Sequence, residues 1–494
     1  MLPSTSSDHL GYDHHLDPRR TAIKMKKSEL ILIPSPGAGH IVSFLQLARQ
    51  LVERDDRFTI TILIIKLPFD PPKSTGEDAA TSSSIRYITL PDVEPPPIEV
   101  LMESWEKYNS DLIKSHWSNV QDVILKFLQS SSASLAGVIA DLFCSPFIDL
   151  ANELHVSSYL FFTSGAAFLS YILHMPSHFD DFGHVIRESD PESIITGFKN
   201  PYPSNLTPPF MLKEAGYTTF FNHARRILHA KGILINTFAE LESYALGSFL
   251  GDGTPPVYTI GPILDLQGKA HGSLNSDRHD RIMGWLNRQP ESSVVFLCFG
   301  SLGSMGMLQM MEVAIGLHLS GASFLWAVRK PPTEYMEEEL QEILPAEFMK
   351  LLEAGKGIIC GWAPQAQVLA HNAIAGFVSH CGWNSIMESL WFGRPLVTWP
   401  MYAEQRANAF QLVKEMELAV ELSLDYDNEG GKIVEADKVE RAIRCLMEQV
   451  NDLRKRAKEA ADQGRRALME GGSSFISLGS FIRDVMVDAK GDAL

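Results

Sequence analysis

A chain of 494 residues with a formal net charge of −17 is too long for one hydrophobic core. It is also too acidic for nucleic acid or an anionic membrane surface to be its main partner. Five scattered cysteines, Cys144, Cys298, Cys360, Cys381 and Cys445, are odd in number and lack metal-ligand spacing, so reduced thiols and a cytoplasmic location are expected. No apolar run reaches the roughly 18 residues of a membrane span. Residues 1–24 are polar, lack the apolar stretch of a signal peptide, and read as a flexible extension.

The first apolar run, Leu30-Ile31-Leu32-Ile33, reads as a strand covered on both faces, as in a parallel sheet. Pro34-Ser35-Pro36-Gly37-Ala38-Gly39-His40 follows, then a helix with apolar residues at Ile41, Phe44, Leu45, Ala48 and Leu51. Strand, glycine turn and helix make a Rossmann-like unit, but the third glycine of a dinucleotide fingerprint is missing, which counts against a nicotinamide-dependent oxidoreductase. His40 stands where the helix begins. The helix dipole there disfavours the imidazolium, so the terminus predicts a neutral imidazole near pH 7 that can accept a proton.

Strands are expected at Thr59 to Lys66 and Ile85 to Leu90, helical sequence from about Val100 to Leu128, and a strand from Leu135 that ends on the carboxylate of Asp141. Ligands of open parallel sheets gather at the carboxyl ends of strands, so His40 and Asp141 can face each other. Asp141 could then orient the imidazole as the acid of a hydrolase triad does, or it could cap the helix from Pro146 to Glu153. Ser158 to Ser164, Gly232 to Thr237 and Val257 to Pro262 complete the first set of strands, and the Gly-, Ser- and Asp-containing stretch that follows reads as an interdomain linker.

The second half repeats the pattern. Ser293 to Phe299 is a buried strand feeding Gly300-Ser301-Leu302-Gly303-Ser304 and a helix from Met307, and Phe324 to Arg329 is another strand. In Phe377-Val378-Ser379-His380-Cys381-Gly382-Trp383-Asn384-Ser385 a strand gives way to a glycine and a helix start, where open N–H groups and the dipole suit a phosphate. Trp362 offers a flat face to a base and Gln365 could read its edge. Glu388, one helical turn past Asn384, suits a ribose diol, and Glu404-Gln405 suit sugar hydroxyls. Asp425-Tyr426-Asp427 has the Asp-x-Asp form of metal-dependent transferases but lies in loop composition, and Asp181-Phe182-Gly183 lacks every other kinase element. No metal is expected.

The 44 residues from Trp362 to Gln405 resemble the donor-binding signature of the plant family 1 UDP-glycosyltransferases. The resemblance extends over nearly the whole chain from Met25, where such chains usually begin. It implies an α/β fold of the GT-B class, two Rossmann-like domains facing across a cleft. Residues 25–266 would be the acceptor-binding domain, 267–281 the linker, 282–470 the UDP-sugar-binding domain, and 471–494 a helix crossing back to the first domain. It implies an inverting UDP-glucose-dependent O-glucosyltransferase acting on a small lipophilic plant metabolite, a flavonoid or other phenolic, a terpenoid or a hormone. Another UDP-sugar donor, or a non-catalytic UDP-sugar-binding protein, is the alternative. His40 would be the general base and Asp141 its partner. Trp362, Ala363 and Gln365 would hold uracil and Glu388 the ribose. His380, Asn384 and Ser385 would take the diphosphate, Ser301 would contact phosphate or sugar with Gly303 giving close backbone approach, and Thr163, Trp383, Glu404 and Gln405 would take the hexose. A terminal Gln such as Gln405 goes with glucose more often than galactose. Gly37, Phe143, Phe162, Phe168, Met175, Phe210, Met211 and Tyr402 are candidates for the acceptor pocket. UDP-glucose is expected as co-substrate without cofactor or metal, and the chain is expected to be a monomer that neither binds nucleic acid nor inserts into membranes.

Overall fold

The computed structural model describes residues 27–69, 83–130, 133–251, 253–266, 276–330, 335, 337–426, 431–448 and 450–491. The N-terminal extension and Asp427 lie outside them. Among the described residues thirteen strands fall into two sheets. The first holds β1 (Lys27–Ile33), β2 (Phe58–Ile64), β3 (Ile85–Thr89), β4 (Ala133–Asp141), β5 (Ser158–Phe162), β6 (Gly232–Ile235) and β7 (Val257–Thr259). The second holds β8 (Val294–Cys298), β9 (Ser323–Ala327), β10 (Gly357–Cys360), β11 (Ile374–Ser379), β12 (Leu396–Thr398) and β13 (Ala419–Glu421).

Every pairing in both sheets is parallel. The orders are β3-β2-β1-β4-β5-β6-β7 and β10-β9-β8-β11-β12-β13, so strand order reverses between β1 and β4 in one sheet and between β8 and β11 in the other. At such a reversal the connections leave to opposite sides and open a crevice beyond the strand ends. Alternation sets the two-sided burial: Ile31 and Ile33 join one apolar cluster, Leu30 and Leu32 another. In β8, Val294 and Phe296 join the cluster shared with the first half, while Val295 and Leu297 face a core of their own.

Two sequence expectations gain detail in the structure. The helical stretch from about Val100 is three helices, Ile98–Glu103, Trp105–Ser115 and Trp117–Leu128. Ser104, extended at φ −159°, interrupts it and accepts from the Lys107 amide to start the second helix. The stretch assigned to a linker through residue 281 is already helical from Ser276, because Ile282, Trp285 and Leu286 bury one face and Asp277 suits the first turn.

The last helix, Ser473–Gly491, follows the second sheet in sequence but seals the first. Leu478, Phe481, Ile482 and Val485 enter that core, with the Phe481 ring 5.1 Å from Tyr159 and 5.4 Å from Tyr258. The Tyr258 hydroxyl donates to Asp484 at 2.5 Å and the Tyr159 hydroxyl to Asp488 at 3.1 Å. At the start of this helix Ser474 Oγ donates to the Gly261 carbonyl at 2.5 Å, which ties it to the segment leaving β7. Among the described residues no helix is long and apolar enough to cross a membrane.

Candidate active site

Gly37, at φ +129°, turns the chain from β1 into the helix Ala38–Arg54, and His40 stands in its first turn. Register pairs Ile33 with Ala140, so Asp141 ends β4 directly beside that turn. His40 Nδ1 lies 2.8 Å from Asp141 Oδ2 and 3.4 Å from Thr163 Oγ1. Asp141 is fully buried, and its other oxygen accepts from the Phe143 amide at 3.2 Å. It does not cap the helix from Pro146, which has no side-chain cap. A carboxylate on Nδ1 fixes the tautomer with the proton there and leaves Nε2 as the basic nitrogen.

The neighbours of the ring work against the helix terminus. Burial pulls the His40 pKa down, but the Asp141 charge and hydrogen bond, helped by the Glu404 charge, outweigh it and hold the value above the ordinary 6.5.

A cleft of about 720 Å³ opens over this pair. From the first half His40, Phe143, Phe162, Thr163, Phe168 and Phe210 line it, and from the second Gly303, Trp383, Asn384, Tyr402 and Glu404. Met175 and Met211 do not: both are fully buried core side chains, drawn inward because nothing in an apolar pattern separates pocket from core. Gly37 shapes the turn and lies outside the lining. Sequence reasoning missed Phe220, whose ring lies 5.6 Å from Phe143 and 4.5 Å from Phe210. Its spacing with Tyr217, Ala224 and Ile227 is that of an ordinary buried helix face.

The remaining candidates stand at the strand ends of the second sheet. His380 follows β11 and is 6% exposed. A Cβ placed on Gly300 or Gly382 would come within 2.6 or 2.5 Å of its Nε2, so both glycines are needed to admit the ring, and Gly300 also sits at φ +77°. Burial, offset only partly by the Cys298 backbone, pushes the His380 pKa down to about 4. Its Nδ1 is buried without a hydrogen-bond partner among the described residues. His380 is therefore neutral at pH 7 and can stabilise an anion by hydrogen bonding, not by charge. Beside it the helix Trp383–Trp391 starts at Gly382 with no side-chain cap, leaving its first N–H groups open to an anion. Ser301 is exposed on the turn after β8, and Gly303 passes so close to Phe299 that a Cβ would meet its carbonyl oxygen at 2.0 Å.

Gln365, Ser385 and Glu388 form one cluster: Gln365 Nε2 donates at 2.9 Å to both Ser385 Oγ and Glu388 Oε2. Burial raises the Glu388 pKa to about 7, with the Gln365 bond opposing it and the Asp265 charge adding to it. Trp362 and the buried Ala363 follow β10. The Trp383 indole N–H is engaged, donating to the Asn236 carbonyl at 2.7 Å while its ring presses on Gly165. It cannot serve a hexose with that proton. Asn384 Nδ2 reaches Gly39 O at 3.4 Å and Ser43 Oγ at 3.5 Å. Glu404 accepts from Ser164 and Asn408 at 3.3 Å, and Gln405 Oε1 accepts from the Met401 and Tyr402 amides at 2.9 Å. Among the described residues no three His, Cys, Asp or Glu side chains cluster to hold a metal, and Asp425 pairs with Lys432.

Known proteins are similar to this chain in sequence and in fold. The profile of the family described as "UDP-glucoronosyl and UDP-glucosyl transferase" matches residues 220–427. The chain is 44% identical over 482 residues to UDP-glycosyltransferase 71K2 of Pyrus communis, covering 94% of this chain and 100% of that one. It is 42% identical over 482 residues to the flavonol 3-O-glucosyltransferase UGT71C4 of Arabidopsis thaliana, covering 94% and 99%. The crystal structure of Medicago truncatula UGT71G1 complexed with UDP-glucose matches with a TM-score of 0.86 at 41% identity, over 93% of this chain and 98% of that one.

Proposed function

The chain belongs to the plant UDP-glycosyltransferases, enzymes of the GT-B fold, and from that premise we propose that it transfers glucose from UDP-glucose to a hydroxyl of a small lipophilic acceptor with inversion. His40 Nε2 takes the proton of the acceptor hydroxyl. The oxygen attacks the anomeric carbon from the face opposite the diphosphate, the bond to the diphosphate breaks, and UDP leaves with the electron pair. Asp141 holds the imidazole and stabilises its cation. The observation that carries the reading is the 2.8 Å His40–Asp141 pair at the first strand reversal, opening on a cleft walled by the other half.

In this reading Trp362 stacks on uracil beside Ala363, and Glu388 accepts from the ribose hydroxyls once ionised. Ser301, Gly303, His380, Asn384, Ser385 and the start of the helix Trp383–Trp391 surround the diphosphate. Thr163, Glu404 and Gln405 approach the hexose, with Trp383 contributing its ring or backbone. Residues 25–266 act as the acceptor domain and 282–470 as the donor domain, in a cytoplasmic monomer without metal. The aromatic wall of Phe143, Phe210 and Phe220 suits a flat phenolic acceptor, and the flavonol named for the Arabidopsis relative makes flavonoids the first class to try, ahead of terpenoid alcohols and hormones. Incubation of UDP-glucose with a panel of phenols and terpenoid alcohols, in excess chelator, tests the proposal. A β-glucoside is expected; an α-linked product, hydrolysis alone, or activity that vanishes with chelator would overturn it in the corresponding part.

A further inference from the structure

Trp362 does not stand alone. In the β9–β10 ladder the last register pair is Ala327 with Cys360, and Val328 N continues it by donating to the Cys360 carbonyl at 2.8 Å. Arg329 and Trp362 each lie two residues beyond that pair, on adjacent strand exits. The Arg329 guanidinium carbon accordingly sits 4.4 Å from the centroid of the Trp362 ring, the geometry of a cation–π contact. Both residues are half-buried.

We infer that Arg329 is a positioning residue for the nucleotide base: it covers one face of Trp362 and holds the indole so that the other face receives uracil. The inference rests on the reading of Trp362 as the uracil platform. Its weight comes from what surrounds that platform. The Gln365 amide N–H groups are already engaged by Ser385 and Glu388, so they are not free to fix the base edge, and more of the base's orientation falls on the indole. A tryptophan held before the ligand arrives loses less freedom on binding than a loose one, and Pro364 just beyond it further restrains the chain. Arg329 also suits this task chemically, since a planar, weakly hydrated guanidinium lies on an aromatic face more readily than an ammonium does.

The test compares a ligand with the base and one without it. Calorimetric titration of the full chain with UDP and, separately, with inorganic pyrophosphate is carried out on wild type and Arg329→Met. The variant should bind UDP about fivefold more weakly, with pyrophosphate affinity changed by less than about twofold. Arg329→Lys should fall between wild type and Arg329→Met, and it reads the same ratio should the Met variant not fold. Unchanged UDP affinity would overturn the inference. So would equal weakening of both ligands, which assigns Arg329 to the phosphates or to general stability, or tighter UDP binding, which means that the guanidinium occupies the face the base needs. If wild type binds no UDP, the proposed function fails instead, and the two failures are told apart in one experiment.

Discussion

The two strand reversals place an imidazole at the same topological point and make different groups of it. Beyond β1 and β4, His40 meets the buried carboxylate of Asp141, and its pKa is held above the ordinary value. Beyond β8 and β11, His380 is packed between Gly300 and Gly382 with no carboxylate partner, and burial pushes its pKa to about 4. Topology brings the ring to the crevice, and the neighbour decides which way its pKa moves. In the proposed reaction one half would therefore supply a base and the other an uncharged hydrogen-bonding group, the division that a transfer from donor to acceptor calls for.

The comparison breaks most directly at the first imidazole. His40→Ala should lower kcat by about 10² to 10⁴ while leaving UDP affinity intact; near-normal turnover would remove His40 from the reaction. Asp141→Asn makes the first reversal resemble the second. The charge that raises the His40 pKa is gone, so the acid limb of the kcat/KM profile should move to lower pH, with kcat down by about 10² or more. An unmoved limb would show that another group titrates there. At the second reversal, Gly382→Ala adds a Cβ 2.5 Å from His380 Nε2 at ordinary backbone angles. UDP-glucose affinity should fall by about tenfold, and the Gly382→Ala/His380→Ala double variant should lose much less than the sum of the two single changes; strict additivity would mean that the ring is not what the glycine protects.

The smallest effect concerns Glu388. Its folded pKa of about 7 lies above the ordinary carboxylate value of 4.5, so the native state binds the extra proton between those limits. Stability of the unliganded chain should therefore fall as pH rises through that window. UDP-glucose, whose diphosphate diester does not titrate near neutrality, should bind a few-fold more tightly as pH rises through about 7, because an ionised Glu388 is the better acceptor for two hydroxyls. Glu388→Gln should flatten both dependences, as read by thermal melting and by titration at several pH values.

The strands, the glycine turns and the pairing of His40 with Asp141 were legible because a parallel sheet writes itself as short apolar runs, and its ligands gather where those runs end. Helix breaks were not, since Ser104 looks like any polar residue until its hydroxyl caps the next segment. Nor was the pocket lining. Met175, Met211 and Phe220 carry the same apolar signal, and only packing sends the first two to the core and the third to the cleft. Trp383 shows a third limit: no pattern announces that its indole proton is taken by Asn236, far away in sequence.

The bond from Ser474 to the Gly261 carbonyl has a mechanical consequence. It fastens the segment leaving β7 to the start of the helix that returns to the first sheet. The halves are thus pinned beside this joint as well as across the interface between them, where Trp383 donates to the Asn236 carbonyl and Gln411 to Glu242.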